Sequence, residues 1–283
     1  MGMKILVTGA GGLLGAEIEG IARARGHRVL PLARAELNVT DKKSVSAAIK
    51  GSGLDTVVHC AAYTAVDRAE SEPELARLVN RDGTQNVASI CGSEGVDFVY
   101  LSTDYVFDGT KSTPYLPGDL PNPLSVYAKT KLEGEKVTWE VAGPALVVRL
   151  SWLYGDHKGF VPAVLRQALT ADAPLRVVCD QVGQPTWVRN AASAIIELLE
   201  VRARGTVHVG DRGECSWWDL AQEVLRLDGK DRPVEAVSSE EFGAAALRPS
   251  YSVLDLTETE EVLGRSMPSW QDALRDFMHS KDR

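Results

Sequence analysis

The stretch SVYAKTKLEG (125–134) carries one tyrosine and two lysines in a segment that is typical of the start of a helix. Residues four apart on a helix share a face, whereas residues two apart point away from each other, so Tyr127 can act together with Lys131 but not with Lys129. A free tyrosine has a pKa of about 10, and a nearby ammonium lowers it toward the range useful for proton transfer. Taken alone, these ten residues are more typical of an ordinary exposed helix with scattered lysines, so the assignment depends on the rest of the chain.

A second candidate group lies upstream, in LSTDYVFDG (101–109), where an apolar run ends in hydroxyl-bearing residues. On its own this pattern is also consistent with a helix cap or a turn. Together with Tyr127 and Lys131, however, Thr103 completes a Thr–Tyr–Lys set at a strand end, where α/β folds bind their ligands. In such a set the threonine hydroxyl polarises a substrate carbonyl, and the tyrosine donates a proton as hydride arrives at carbon.

A glycine-rich turn near the start of the chain, TGAGGLLG (8–15), predicts a dinucleotide site. Gly9 permits the tight turn, Gly12 lets the backbone approach a pyrophosphate, and Gly15 allows close packing of helix on strand. The amides at the start of the following helix then hold the phosphates. Glycine triplets also occur in tight turns that bind nothing, but this one follows the first strand of a βαβ series.

The second strand ends in PLARAELNVTD, which predicts the cofactor. Dinucleotide folds that prefer NAD usually place an acid here to bind the ribose 2′-hydroxyl, whereas a nearby arginine accommodates a 2′-phosphate. This chain has Ala33 followed by Arg34. The pattern favours NADPH, with NADH as the alternative cofactor if Arg34 is only a solvated surface residue.

The elements that must position these residues alternate along the first half of the chain. Short β-branched runs at 4–9, 28–33, 55–62, 97–103 and 145–151 are separated by helical patterns, including a long one over about 72–93. Such alternation predicts an α/β fold, a Rossmann-type doubly wound parallel sheet with helices on both faces. Residues 1–151 are predicted to form the NADP-binding domain. Residues 152–283 are predicted to be mainly a smaller α+β substrate-binding portion, from which the chain is free to cross back to the sheet.

Composition excludes several other classes of function. The net charge of −8 and the absence of any lysine- or arginine-rich run argue against a nucleic-acid partner. The first apolar run is short and ends at glycines, so it predicts neither a signal peptide nor a membrane span. The four cysteines are far apart, which argues against disulfides and a thiolate metal site and favours a cytoplasmic protein.

The glycine spacing and the Thr–Tyr–Lys set resemble the extended short-chain dehydrogenase/reductases, and finer motifs resemble the dTDP-4-dehydrorhamnose reductase family within that superfamily. The resemblance covers nearly the whole chain and is carried by CAAYTAVDRAE (60–70), VNRDGTQNVA (79–88), STDYVFDG (102–109), YAKTKLEGE (127–135), SWLYG (151–155), DQVGQPT (180–186), CSWWDLA (215–221) and RPSYSVLD (248–255). It implies NADPH-dependent reduction of the C4 keto group of dTDP-4-dehydro-L-rhamnose to dTDP-L-rhamnose.

The resemblance also implies roles for individual residues. Thr103, Tyr127 and Lys131 match the catalytic set, and Thr103, Asp104 and Trp152 match positions that contact the substrate. The predicted cofactor-binding residues, some from the motifs above and some from the resemblance, are Gly9, Gly11, Gly12, Leu13, Leu14, Arg34, Asn38, Val39, Ala61, Ala62, Tyr63, Thr64, Ser102, Tyr127 and Lys131. Asn38 departs from the family, which usually has aspartate there, and this weakens the adenine contact as a guide.

Three alternatives stay open at the sequence level. The first alternative is a nucleotide-sugar dehydratase of the same superfamily. The resemblance implies a Thr-Asp-Glu pattern for those enzymes, in which the two acids carry the elimination of water. This chain has Tyr105 at the third position, so reduction is the simpler chemistry. A reductase of another dTDP-4-keto-6-deoxysugar fits the same motifs. So does a non-catalytic NADP-binding regulatory subunit that resembles the β subunit of methionine adenosyltransferase. Some relatives form dimers bridged by magnesium; a homodimer is therefore open here, but no metal is predicted because the bridging acids cannot be located.

Overall fold

A parallel six-stranded sheet is the centre of the computed structural model, which describes residues 2–156, 159–170 and 173–280. The strands, numbered in chain order, are β1 (Lys4–Thr8), β2 (Arg28–Leu32), β3 (Thr56–His59), β4 (Asp97–Thr103), β5 (Ala145–Leu150), β6 (Leu153–Tyr154), β7 (Leu175–Val178), β8 (Val182–Gly183), β9 (Thr186–Trp187), β10 (Gly205–Val209), β11 (Cys215–Ser216) and β12 (Val234–Val237).

The helices surround this sheet and continue into the second half of the chain. They are α1 (Leu13–Ala24), α2 (Lys42–Ile49), α3 (Val66–Ser71), α4 (Pro73–Arg77), α5 (Thr84–Glu94), α6 (Val126–Val141), α7 (Phe160–Thr170), α8 (Val188–Glu200), α9 (Trp217–Leu227), α10 (Ser239–Phe242), α11 (Thr257–Leu263) and α12 (Trp270–Ser280). A π-helical segment, Leu78–Gly83, joins α4 to α5, and a 3-10 turn, Asp104–Val106, follows β4.

The strand order of the central sheet is β10-β5-β4-β3-β1-β2, with every neighbouring pair parallel. The chain leaves β1 toward β2 on one side and returns to β3 on the other side. The point where the order reverses, between β1 and β3, is where ligands bind in such sheets. The predicted Rossmann-type doubly wound fold is confirmed.

Apolar packing on both faces of the sheet explains why its strands carry almost no polar alternation. Every residue of β5 is buried, as is every residue of β4 after its first. One core cluster packs α1 and α8 against one face, and a second packs α2 and α5 against the other. The carboxyl ends of these rigid strands therefore provide fixed attachment points for a site.

The second half of the chain both extends the sheet and builds on its carboxyl edge. Strand β10 pairs with β5 as the sixth strand, and α8 packs against α1. Three two-stranded ladders, β11-β8, β12-β7 and β6-β9, accompany a third core cluster centred on α7, α9 and α12. The division at residue 151 into two functional portions stays a prediction. Within the described ranges, no helix combines the length and apolar character needed to cross a membrane.

Gly134 allows α6 to pack directly on the sheet because it has no side chain. A Cβ atom at this position would lie 2.6 Å from Cζ of Tyr100 and 2.7 Å from the carbonyl oxygen of Asn80. Gly20, on the exposed face of α1, has no atom within 4 Å of the same hypothetical position. Both glycines lie within α-helices, but a side chain at Gly134 would meet neighbouring atoms, whereas one at Gly20 would not.

We expect Gly134→Ala to lower the free energy of unfolding by roughly 1–3 kcal/mol, because the added methyl group overpacks the interface between α6 and β4. Gly20→Ala is the matched control and should raise it by about 0.5–1 kcal/mol, since alanine is the better helix former. Thermal or urea denaturation measures both. Equal shifts in the two variants would contradict the close packing at Gly134.

Candidate active site

The turn after β1 lies against the backbone that follows β3, at the point where the strand order reverses. Gly9 has a φ of 63°, and a Cβ atom there would lie 2.7 Å from the amide nitrogen of Ala61. A Cβ atom on Gly15 would lie 2.6 Å from the carbonyl oxygen of Gly9. Both positions therefore need glycine, one for the turn and its neighbour, the other for the approach of α1.

The N-terminus of α1 faces the predicted pyrophosphate site and is not capped by the protein itself. Gly12 is the N-cap, its amide donates to the Gly9 carbonyl at 2.9 Å, and neither a side-chain cap nor an acidic first-turn residue is present in this described helix. The first amides of a helix have no intrahelical acceptor and attract anions. With Gly9, Gly11, Leu13 and Leu14, the turn therefore fits a diphosphate.

The segment after β2 holds the residues predicted to border the adenosine end. Arg34 and Asn38 are exposed, and Val39 is buried beneath Gly83. The Asn38 carboxamide accepts from the Thr40 amide and hydroxyl. The Glu36 carboxylate accepts from the Ala33 amide at 2.7 Å. Sequence reasoning did not weigh this acid, which places a negative charge in the same turn as Arg34.

Hydrogen bonds to Thr8 and Asn80 hold the segment after β3, which the resemblance assigns to the middle of the cofactor. The Ala61 amide donates to the Thr8 hydroxyl at 3.2 Å, and that hydroxyl lies 2.9 Å from Nδ1 of His59. The Asn80 carboxamide bonds both the amide and the carbonyl of Tyr63, at 2.7 and 3.1 Å. Ala62 is half-buried and Thr64 exposed in the same segment.

Asn80 itself was missed as a functional residue, although it lies within a motif that carried the resemblance. It is 1% exposed and also donates to the Thr130 hydroxyl of α6 at 3.0 Å. The π-helical segment turns its side chain inward, where it ties the cofactor loop to the helix of Tyr127. An asparagine within a helical pattern does not reveal these partners, since they depend on a local change in helix winding.

The end of β4 brings Thr103 and Tyr127 together. The Thr103 hydroxyl is close enough to Tyr127 to lower the pKa of the phenol, and the Thr103 oxygen accepts from the Tyr105 amide at 3.2 Å. Ser125, the N-cap two residues before Tyr127, accepts from the Ala128 amide at 3.2 Å and so fixes the start of α6. The predicted hydroxyl pair is therefore adjacent, with the phenol half-buried.

Lys129 and Lys131, both near the start of α6, have opposite environments. Lys131 is 3% exposed, donates to the Leu101 carbonyl at 2.6 Å and lies 4.2 Å from the centre of the Tyr100 ring. Lys129 is exposed. Helical spacing thus places Lys131 on the inward face with Tyr127, as the residue pattern predicts.

The pKa values of this pair move in opposite directions. Burial raises the pKa of Tyr127 to about 12; the charge of Asp104 adds to this and the hydrogen bond with Thr103 opposes it. Burial lowers the pKa of Lys131 to about 7, opposed by Glu135 and Cys60. At neutral pH the phenol is protonated and can act as a proton donor, whereas the amine is close to its titration range.

A buried ion pair lies one turn further along α6. Arg149 of β5 donates to Glu135 from Nε at 3.0 Å and from Nη2 at 2.8 Å, and Ser102 donates to the same carboxylate. Nη1 of Arg149 reaches the Pro117 carbonyl at 3.0 Å. Ser102, predicted to contact the cofactor, is 6% exposed, and its hydroxyl is directed to Glu135.

Trp152, predicted to contact substrate, begins the substrate-side wall. Its φ of 42° is unusual for a non-glycine residue, and its ring stacks on Trp217 with centroids 3.4 Å apart and planes at 5°. A Cβ atom on Gly183 would lie 2.6 Å from the indole nitrogen of Trp152. That nitrogen is buried without a partner among the described residues. Trp217 lies within the motif CSWWDLA, and its spacing from Trp152 does not predict this stacking.

Three comparisons bear on this site. Residues 3–282 match the family model described as the RmlD substrate binding domain. A dTDP-4-dehydrorhamnose reductase of Mycolicibacterium smegmatis is 35% identical over 281 residues, which cover 98% of this chain and 85% of that protein. A dTDP-4-keto-6-deoxy-D-glucose reductase of Streptomyces niveus is 36% identical over 272 residues, with coverage of 95% and 94%.

Solved structures agree with the sequence relatives. The crystal structure of dTDP-4-dehydrorhamnose reductase from Bacillus anthracis, in complex with NADP, has a TM-score of 0.95 and 34% identity to this chain. The match covers 99% of this chain and 100% of that one. The similarity therefore extends over the sheet, the turn after β1 and the second half of the chain alike.

Proposed function

The chain belongs to the RmlD substrate binding domain family, as its motifs predict, and from this premise we propose that it is an NADPH-dependent reductase of dTDP-4-dehydro-L-rhamnose. It converts the C4 keto group to the hydroxyl of dTDP-L-rhamnose. The observation that carries the proposal is that Thr103, at the end of β4, and Tyr127, at the start of α6, lie together on the carboxyl edge of the sheet that also carries the glycine turn. Relatives along the whole chain are reductases of this class.

Different groups of residues are assigned to different parts of the cofactor and the substrate. NADPH, when bound, supplies the hydride. The amides at the start of α1 and the glycines before it hold its diphosphate, and Arg34 faces the 2′-phosphate. Residues 61–64 line the middle of the cofactor, and Asn38 and Val39 border the adenine. Lys131 holds the ribose, and Trp152 forms part of the sugar wall.

Proton delivery falls to the neutral Tyr127 phenol. Because burial keeps its pKa well above neutrality, it donates to the oxygen that develops charge at C4. Thr103 orients that phenol and the substrate carbonyl. Lys131 follows Tyr127 by one helical turn, and its ammonium form favours the phenolate that remains after proton transfer, since an opposite charge favours the ionised form.

A second candidate substrate is another dTDP-4-keto-6-deoxysugar. The relative from Streptomyces niveus is named a dTDP-4-keto-6-deoxy-D-glucose reductase and is as similar as the rhamnose-type relative, at 36% against 35% identity. The shared substrate class is a dTDP-4-ketosugar. A cytoplasmic location and a homodimer stay predictions from the sequence.

We expect the purified protein to oxidise NADPH when the 4-keto sugar is generated in situ from dTDP-glucose, followed by absorbance. Tyr127→Phe should lose roughly 10²- to 10⁴-fold in turnover, the range of general acid catalysis, with NADPH binding retained. Comparing kcat/KM for the two 4-ketosugars ranks the candidate substrates. Correctly folded protein without turnover on either sugar would point instead to a non-catalytic NADP-binding subunit.

The two lysines provide a matched pair of variants. We expect Lys131→Met to lower kcat/KM by roughly 100-fold, because methionine fills the space but carries no charge beside the phenol. Lys129→Met should stay within about twofold, as is usual for an exposed position. Steady-state kinetics on both, with melting temperatures as a folding check, measures the difference. Equal effects would argue against the assigned role of Lys131.

Cofactor preference can be tested at Arg34. We expect Arg34→Ala to raise KM for NADPH by roughly tenfold while leaving KM for NADH unchanged, because a charge-assisted contact to the 2′-phosphate is lost. Arg28→Ala is the control, since this exposed arginine lies at the opposite end of the same strand. An unchanged ratio of the two KM values in Arg34→Ala would show that Arg34 does not read the 2′-phosphate.

A further inference from the structure

Trp152 has an unusual backbone conformation at the carboxyl edge of the sheet. It follows the end of β5 by two residues, and β5 pairs with β4 so that Leu150 lies opposite Thr103. Its φ of 42° falls in the left-handed region, which non-glycine residues rarely adopt. Arg202 also has a positive φ, 56°, but it lies just beyond α8, where left-handed residues commonly end a helix. Trp152 follows a strand, so its conformation has no such origin.

The ladder between β8 and β11 supplies two neighbours that hold the Trp152 ring. Gly183 ends β8, and Trp217 directly follows β11. A Cβ atom on Gly183 would lie 2.3 Å from Cε2 of Trp152, so only glycine leaves room for this indole. The Trp217 ring stacks on it with centroids 3.4 Å apart and planes at 5°. A locally unfavourable conformation persists only when its surroundings over-determine it, and these two residues are part of those surroundings.

Trp217 is itself fixed by further contacts. Its indole NH donates to the carboxamide oxygen of Gln181 at 3.2 Å, and the Gln181 amide nitrogen donates to the Ser239 hydroxyl at 2.9 Å. The Phe160 ring packs against Trp217 with centroids 4.7 Å apart. Both Trp152 and Trp217 nevertheless remain half-buried. A well-held aromatic pair therefore keeps part of its surface exposed at the sheet edge where ligands bind.

The cost of this arrangement points to a ligand. The Trp152 indole NH is buried and has no acceptor among the described residues, and an unpaired buried donor is unfavourable. A left-handed tryptophan is unfavourable as well, and strained residues of this kind cluster at ligand sites. The register that places Leu150 beside Thr103 brings Trp152 close to the reacting end of the substrate. That end is the sugar, which carries the C4 ketone.

We propose that Trp217 is a positioning residue for sugar recognition, which acts by holding the Trp152 ring against the bound sugar; this inference rests on the proposed function. Trp152 supplies the apolar surface that the sugar covers. Trp217 fixes the angle of that surface without touching the ligand. Because the ring is ordered before binding, less side-chain entropy is lost when the sugar binds. Trp217 thus sets the affinity for the sugar part of the substrate and not for its nucleotide part.

The test is a double-mutant cycle on the full chain saturated with NADP. Trp152→Ala, Trp217→Ala and the double variant are compared with wild type by calorimetric titration, once with dTDP-L-rhamnose and once with dTDP. Trp217→Phe is the conservative variant. Trp218→Ala is the control, since the adjacent Trp218 donates to the Val234 carbonyl at 3.0 Å and packs on the core around α9. If Trp217→Ala does not fold, Trp217→Leu takes its place in the cycle.

We expect Trp217→Ala to raise the Kd for dTDP-L-rhamnose roughly tenfold, as for a lost aromatic pair, and to leave the Kd for dTDP within about twofold. In the Trp152→Ala background the same substitution should add less than about twofold, because the ring through which it acts is absent. Trp217→Phe should retain most of the affinity. Trp218→Ala should lower the melting temperature but leave both Kd values within about twofold.

Two further measurements separate positioning from a merely structural role. The sugar KM in Trp217→Ala should rise with Kd while kcat stays within about threefold, the pattern of lost uniform binding. Stacked indoles give an exciton-coupled band in far-ultraviolet circular dichroism. This band should disappear in Trp152→Ala and in Trp217→Ala and should persist in Trp218→Ala.

Two results would overturn the proposal. Additive losses of affinity in the double variant would mean that Trp217 contacts the sugar itself and does not act through Trp152. Equal losses for dTDP and dTDP-L-rhamnose would place the effect at the nucleotide. A wild type that binds dTDP-L-rhamnose but shows no turnover on either 4-ketosugar rejects the reductase function alone, because the affinity cycle still decides the role of Trp217.

Discussion

Burial of charged groups on one face of α6 is the constraint on which the site depends. Tyr127, Lys131 and Glu135 follow each other at four-residue spacing and face the sheet, and the two charged ones are 3% exposed. Removing a charge from water is costly unless partners replace the lost hydration. Lys131 donates to the Leu101 carbonyl and lies over the Tyr100 ring. The Glu135 carboxylate accepts from Arg149 and Ser102. The helix can therefore sit in one position only, and Tyr127 is aligned as a result.

The partners of this helix face reach the other parts of the site. Arg149 contacts the Pro117 carbonyl and packs over the Phe107 ring, so the proline-rich segment before α6 is held by the same ion pair. Asn80 joins α6 to the backbone of Tyr63. Ser252 brings the second half of the chain onto Asp104. Segments distant in sequence thus share one polar interior, in which a fully satisfied network specifies a single arrangement.

Local rules predicted the strands, the glycine turn and the Tyr127–Lys131 face, because each depends on residues near each other in sequence. Strand β4 begins and ends at the predicted residues, 97 and 103. The predicted helix over 72–93 is instead three helical pieces with a π-helical centre, since tertiary bonds of Asn80 override local propensity. The roles of Asn80, Glu135 and Trp217 depend on partners 14 to 65 positions away. No spacing rule can supply those pairings from one sequence.

The opposite pKa shifts of Tyr127 and Lys131 change how the pair should be understood. Sequence reasoning assigns the ammonium the task of lowering the phenol pKa. In the structure the opposing influence on Tyr127 comes from Thr103, while Asp104 adds to the effect of burial and Lys131 is bonded to the Leu101 carbonyl. A phenol held neutral is the form that reduction requires, because the ketone oxygen needs a proton as hydride arrives. The surroundings of Tyr127 therefore favour proton donation over proton removal, which is the direction expected of a reductase.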